Sequence, residues 1–152
     1  EKLTRSALKI IAKHRYPVHI LTKSNLVVRD IDIIHKISER YAAVSITITT
    51  ADNALSKKIE TSAPDSLNRL GTINELAKNG IYCGVILTPV LPFITDTEDN
   101  IRALIDKAAD NGAKYILAWM GMTQRTGQRE YYYSKLKKIF PNYAWCDSAE
   151  SW

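Results

Sequence analysis

The chain has 152 residues, of which 45% are hydrophobic and 24% are charged, a size and balance typical of one globular domain. No apolar run approaches the ~18 residues that a membrane span requires, and the first residues are not those of a secretory signal. Both observations argue against a membrane role and lead us to expect a cytoplasmic protein. The net charge of +5 permits a nucleic-acid partner without requiring one, because lysines and arginines are scattered along the predicted helices.

Helical and strand patterns alternate along the chain. Asp30 and Thr97 are predicted helix caps, and Gly80 and Gly112 are placed to end helices in the left-handed conformation. Residues 49–64 are predicted to form a loop. The pattern predicts helices at about 5–15, 31–42, 66–80, 97–113 and 129–140, and strands at about 18–23, 43–49, 82–90 and 114–120.

Alternating βα units with right-handed crossovers predict an α/β fold with a parallel sheet. Four units cannot close an eight-stranded barrel, so the sheet is either open and doubly wound or one arc of a larger βα barrel. The chain begins directly in a helical pattern, and we therefore expect a single-domain fragment of a longer protein, with an irregular tail at residues 142–152. Val18 to Thr22 would then form an exposed sheet edge, open to self-association or to cover by the tail.

Polar residues cluster where the predicted strands end, which is where parallel βα proteins hold their working groups. Lys23 and Ser24 follow the first strand, and alternation places Ser45, Thr47 and Thr49 on one face of the second. A lysine beside several hydroxyls suits a ligand that has a carboxylate or phosphate and hydroxyl groups.

Simpler interpretations of the same residues remain open. Lys23 can point into solvent, the strand threonines can reflect β propensity, and Glu60 with Arg69 can form a purely structural ion pair. The histidines show no metal-ligand spacing, and Cys83 and Cys146 lie far apart in the sequence. We therefore predict no metal site within this chain.

Four motifs in order give the chain a resemblance to a known family. They are TKS at Thr22 followed by RD at Arg29, S-I-T-x-T from Ser45, E-x-x-A-P-x-S-x-x-R-L from Glu60, and P-x-x-P-x-x-x-D from Pro89. Residues 10–143 thereby resemble the radical S-adenosylmethionine proteins related to spore photoproduct lyase, often labelled DNA repair photolyases. The joint occurrence of the motifs is specific, whereas each alone is weak.

The resemblance implies a partial (β/α)₆ barrel, of which this chain would supply strands three to six. In the family, a C-x-x-x-C-x-x-C loop holds a [4Fe-4S] cluster that binds S-adenosylmethionine and cleaves it to a 5′-deoxyadenosyl radical. Cys83 and Cys146 do not match that motif, so the cluster is expected in a preceding segment of the parent enzyme, and this chain alone should be inactive.

The resemblance also implies roles for individual residues. Cofactor contacts are expected from Lys23 to the methionyl carboxylate, from Ser45 and Thr47 to the amino-acid or ribose part, and from Pro89 near the adenine. Four further residues are candidates for shaping the substrate site or the mouth of the barrel, the opening at the carboxyl ends of the strands. They are Ser24, Glu60, Arg69 and Arg125. Two alternative functions are a stand-alone βα module that binds a ligand or partner, and a nucleic-acid binding domain, the latter motivated by the net charge and by the DNA repair relatives.

Overall fold

Four parallel strands form one sheet in the computed structural model, which describes residues 3–119 and 127–142. The strands are β1 (Val18–Thr22), β2 (Ala42–Thr47), β3 (Tyr82–Leu87) and β4 (Ile116–Ala118). They lie in the order β1-β2-β3-β4, and every neighbouring pair is parallel. The predicted α/β class with a parallel sheet is confirmed.

Helices connect successive strands, as the sequence pattern predicted. A short 3₁₀ helix (Asn25–Asp30) follows β1. The α-helices are α1 (Leu3–Lys13), α2 (Ile31–Ser38), α3 (Asn53–Ile59), α4 (Ser66–Lys78), α5 (Glu98–Asp110) and α6 (Gln128–Ile139).

Most predicted helix ends are confirmed by their geometry. The Thr97 hydroxyl accepts a hydrogen bond from the Asn100 amide, and Gly80 and Gly112 end their helices at φ of 71° and 88°. Asp30 was predicted to cap α2, and this was wrong for its side chain. The Asp30 carboxylate makes no capping hydrogen bond and instead forms an ion pair with Arg5 at 2.9 Å. An ion pair with a side chain from another helix outweighs the local cap there.

Helix α3 lies within the segment that was predicted to be a loop. The Asp52 carboxylate caps it by accepting hydrogen bonds from the amides of Ala54 and Leu55 at 2.7 and 3.2 Å. The helix has seven residues, too few for a helical period to stand out in the sequence. Asp65 then caps α4, and the hydrogen bond from the Asn68 amide contributes most to lowering the Asp65 pKa to about 2.

The hydrophobic core lies on one face of the sheet. Alternate strand residues such as Val44, Ile46 and Val85 pack there against apolar side chains of α1, α2, α4 and α5. On α1, Leu8 is buried in this core, whereas Ala7 and Ile10 are exposed. Among the described residues, no helix is both long and apolar enough to cross a membrane.

The opposite face of the sheet is largely uncovered in the described part of the chain. Leu21, Tyr82 and Leu117 each keep 46 to 59% of their surface exposed. Sequential strand order with crossovers of one hand places the connecting helices on one face, whereas a doubly wound sheet has helices on both. That this sheet is an arc of a barrel closed by further strands stays a prediction, as does self-association through β1, which is an edge strand.

We predict that Gly84→Ala destabilises the fold. A Cβ at Gly84 would lie 2.5 Å from the Tyr115 carbonyl oxygen and 2.6 Å from two carbons of the Tyr115 ring. Overpacking of this kind typically costs ~1–3 kcal/mol of unfolding free energy, measurable by urea denaturation. Gly71→Ala is the matched control, because nothing lies within 4 Å of its Cβ position in α4 and alanine favours a helix. Equal stability of the two variants would contradict the prediction.

Candidate functional site

The exits of three strands lie side by side at one edge of the sheet. Thr22 pairs with Ile46, and Ile46 pairs with Val85, so the segments after β1, β2 and β3 emerge at the same level. Lys23 follows β1 directly, and Pro89 follows β3 after a cis peptide bond to Thr88. The predicted polar edge is therefore present, and its geometry decides which side chains can act together.

Three of the predicted residues form a continuous chain of ion pairs. One carboxylate oxygen of Glu60 accepts a hydrogen bond from the Lys23 ammonium, and its other oxygen pairs with the Arg69 guanidinium. Burial increases along these ion pairs, since the side chain of Lys23 is 44% exposed, that of Glu60 14% and that of Arg69 1%. The structure thus brings Lys23 together with Glu60 and Arg69, which were predicted separately from it.

Arg69 is fixed by the backbone around it. Its guanidinium donates to the carbonyl oxygen of Thr47 at 2.8 Å and to that of Pro64 at 2.6 Å. These bonds join helix α4 to the end of β2 and to the loop before the helix. Arg69 is buried on the interior side of Glu60. Its hydrogen bonds to the backbone and its ion pair with Glu60 stabilise the strand exits.

The three ion-paired residues together have a net positive charge. Two cations and one carboxylate sum to +1, and Lys23 is the member that reaches solvent. An ammonium has three donors, of which Glu60 takes one in this arrangement. The remaining donors of Lys23 can bind an anion at the strand exit.

Ser24 has a local structural contact beside Lys23. Its hydroxyl accepts a hydrogen bond from the Leu26 amide at 3.2 Å and caps the 3₁₀ helix, while its own amide donates to the Thr22 hydroxyl at 3.0 Å. These contacts shape the turn that presents Lys23. A role for Ser24 at the mouth stays a prediction.

Ser45 lies in the middle of β2, in a polar network on the face of the sheet opposite the hydrophobic core. Its hydroxyl is hydrogen bonded to His19 Nε2 and to the Tyr115 hydroxyl, both at 2.7 Å, and the residue is fully buried. Burial raises the pKa of the Tyr115 phenol. Ser45 is thus engaged on two sides, and a ligand contact would replace one of these bonds.

Tyr115 is a member of the site that was not predicted from the sequence. Its ring covers Gly84, which is the β3 partner of Ser45, and lies 5.1 Å from the ring of Tyr82. A glycine inside an apolar strand is a signal that another group approaches closely. The sequence could have indicated a close contact at Gly84, but not the residue that makes it.

Asn100 joins the loops after β2 and β3. Its side-chain oxygen accepts from the Thr50 hydroxyl at 2.8 Å, and its side-chain nitrogen donates to the carbonyl oxygens of Thr49 and Thr95 at 3.2 and 2.7 Å. One side chain therefore holds both loops in register. Sequence reasoning missed it, because the contacts link segments about 50 residues apart.

Two of the remaining predicted residues lie at strand exits near the site. Thr47 and Pro89 are half-buried at neighbouring strand exits. Arg125 lies outside the described residues, as does Cys146. Cys83 is buried on the core face of β3, and burial raises the pKa of its thiol.

The described residues do not fit an iron–sulfur cluster. Such a cluster needs several thiolates on one loop, whereas Cys83 is buried alone among apolar side chains. Within the described ranges, no group of three or more histidine, cysteine, aspartate or glutamate residues could hold a metal ion. An anionic organic ligand does fit the edge, because Lys23 presents ammonium donors there.

Comparisons with known proteins show relatives whose activity is not described. The chain is 39% identical to an uncharacterized protein of Methanocaldococcus jannaschii over 97 residues, which are 64% of this chain and 36% of that protein. It is 28% identical to uncharacterized proteins of Mycobacterium tuberculosis and Mycobacterium bovis over 126 residues, which are 82% of this chain and 37% of each relative. The chain thus spans little more than a third of these relatives. No protein-family model and no solved structure matches it.

We predict that Arg69→Met destabilises the protein strongly. The change leaves the half-buried Glu60 carboxylate without its buried partner and two carbonyl oxygens without their donor. Removing one partner of a buried ion pair typically lowers the free energy of unfolding by ~3–5 kcal/mol, which denaturant unfolding would measure. Lys57→Met is the control, because the Lys57 side chain is 64% exposed in its pair with Asp65, and an ion pair made by an exposed lysine is typically worth at most about 1 kcal/mol. Similar losses for both variants would show that Arg69 does not support the edge.

Proposed function

We propose that this chain supplies part of the S-adenosylmethionine site of a radical enzyme, with Lys23 as the group that binds the methionyl carboxylate. The observation that most supports the proposal is the Lys23 ammonium, held by Glu60 at the exit of a parallel strand and still partly exposed. The motif resemblance over residues 10–143 supports the identity of the ligand. One-sided helix packing and sequential strand order agree with an arc of the barrel that this enzyme class uses.

The residues of this chain would act by binding and orienting the cofactor. Lys23 offers charge and free N–H donors to a carboxylate, and charge-assisted hydrogen bonds are the stronger kind. Thr47 and Pro89 would contribute contacts from the neighbouring strand exits. Ser45 would contribute by exchanging a bond to His19 or Tyr115 for one to the cofactor.

The radical chemistry itself belongs to the bound groups. When bound, a reduced [4Fe-4S] cluster and S-adenosylmethionine would supply hydrogen abstraction from a substrate, of which a DNA repair lyase-like reaction would be one form. Because the described residues do not fit the cluster, the complete gene product is expected to contain its ligands elsewhere. This chain in isolation should have no catalytic activity.

The first test uses the complete gene product, purified without oxygen. We expect iron and sulfide in cluster stoichiometry and reductive cleavage of S-adenosylmethionine. Lys23→Ala should leave the iron and sulfide content unchanged but weaken S-adenosylmethionine binding by about tenfold or more, because a hydrogen bond to a charged group is lost.

Lys78→Ala is the matched control for this test, since Lys78 is exposed in the last turn of α4. It should bind the cofactor as the unchanged protein does. A complete gene product without a C-x-x-x-C-x-x-C motif, or without iron and sulfide, would disprove the proposal. Unchanged cofactor affinity in Lys23→Ala would remove Lys23 from it.

A second candidate function, nucleic-acid binding, is favoured by a basic cleft between α1 and α2. The open cleft has a volume of about 890 Å³, and its acidic residues are Asp32 and Glu39. Arg5 is neutralised by Asp30 and Asp32. Within the described part of the chain, five further cations around the cleft form no ion pair, and an anionic backbone would relieve their repulsion; they are Lys9, Lys13, Arg15, Lys36 and Arg40.

This candidate predicts salt-dependent binding of oligonucleotides. Lys13→Ala with Lys36→Ala should reduce the slope of log affinity against log salt concentration by about two, because each phosphate contact contributes roughly 0.9. Lys78→Ala with Lys138→Ala removes the same charge at exposed positions away from the cleft and should leave the slope unchanged. Binding that does not depend on salt, or an equal effect of both pairs, would eliminate the cleft as a nucleic-acid surface.

A further inference from the structure

We infer that Glu60 weakens the binding of a phosphate to Lys23 more than the binding of a carboxylate, and so shifts the selectivity of the site toward a carboxylate. The inference rests on the proposed function, because it concerns the ligand group that Lys23 binds. By itself, a lysine at a strand exit accepts either group. The discrimination comes from the second charge that the structure places against the ammonium.

Glu60 is held rigidly in its position next to Lys23. Its amide donates to the Ser56 carbonyl oxygen at 2.9 Å at the end of α3, and its carboxylate is paired with the buried Arg69. Arg69 is in turn bonded to the Thr47 and Pro64 carbonyl oxygens. Glu60 therefore cannot swing away when an anion approaches Lys23 without breaking a buried ion pair.

Any anion that binds the Lys23 ammonium also comes close to the Glu60 carboxylate, because the two groups are in direct contact. Repulsion between anions grows with the product of their charges. A carboxylate has one negative charge, whereas a phosphate monoester has about −1.5 to −2 at neutral pH. Glu60 thus penalises a phosphate nearly twice as much as a carboxylate.

The local charge balance leads to the same selectivity. Lys23, Glu60 and Arg69 sum to +1, which a single carboxylate neutralises. A phosphate monoester would leave excess negative charge next to a half-buried glutamate. Replacing Glu60 with a neutral residue raises the sum to +2 and removes the nearby anion, so phosphate should gain more than carboxylate.

The test compares two probes that share an adenine nucleoside and differ in the group attached at the 5′ carbon. S-adenosylhomocysteine presents a carboxylate with its α-ammonium, and adenosine 5′-monophosphate presents a phosphate. Binding of each to the complete gene product is measured by calorimetry. We expect the unchanged protein to prefer S-adenosylhomocysteine, and Glu60→Gln to shift the ratio of the two affinities toward the phosphate by roughly tenfold.

Three variants separate selectivity from a structural role. Glu75→Gln removes the same charge from an exposed position of α4 and should leave the ratio unchanged. Glu60→Asp keeps the carboxylate and should retain the preference. In a Lys23→Ala background, Glu60→Gln should no longer shift the ratio, because Glu60 acts on the anion that Lys23 binds.

The outcomes distinguish this inference from the proposed function. If the unchanged protein binds S-adenosylhomocysteine through Lys23 but Glu60→Gln leaves the ratio unchanged, only the selectivity of Glu60 is wrong. If Lys23→Ala does not weaken S-adenosylhomocysteine binding, Lys23 is not the anion-binding group, and both its part in the proposed function and the inference on Glu60 are wrong. Should Glu60→Gln not fold, Glu60→Gln with Arg69→Met removes both members of the buried pair and still removes the anion beside Lys23. That double variant keeps the net charge at +1 but still removes the anion beside Lys23, so the ratio should shift toward the phosphate by less than in Glu60→Gln. An unchanged ratio there would overturn the inference.

Discussion

The buried guanidinium of Arg69 is the contact on which the rest of the site depends. It joins helix α4 to the end of β2 and to the preceding loop through two backbone carbonyl oxygens, and it pairs with Glu60. Burying a cation is costly unless it is paired and hydrogen bonded, so the surrounding backbone must keep its geometry for the charge to remain there. That requirement fixes Glu60, and Glu60 fixes Lys23 at the exposed edge.

The two faces of the sheet serve different purposes. One face packs against the helices and supplies the apolar core, with Val44, Ile46 and Val85 at its centre. The other face holds the hydrogen-bonded Ser45 and the ring of Tyr115, and much of it is exposed. The core gives the strands a rigid base, and the polar edge above it can then hold charged groups at fixed positions.

Some elements were predictable because their signals are local. Thr97 and Gly80 mark helix ends by hydrogen bonding and backbone conformation within a few residues, and the buried strands β2 and β3 appear in the sequence as continuous apolar runs. Helix α3 was missed because seven residues are too few for a period. Asp30 was assigned to the wrong partner because Arg5, 25 residues away in the chain, competes for its carboxylate. Local patterns are reliable where no distant charge or close packing intervenes.

The sequence by itself determined the fold class and the parallel arrangement. It also predicted Lys23 at a strand exit and indicated Glu60 and Arg69 as candidate site residues. Only the tertiary structure decided that Glu60 bridges the other two, and that Ser45 is enclosed by His19 and Tyr115. The physical reason is separation along the chain, since Lys23 and Glu60 are 37 residues apart, and Ser45 and Tyr115 are 70 apart. Such pairings depend on strand register and on how helices pack, which local periodicity does not encode.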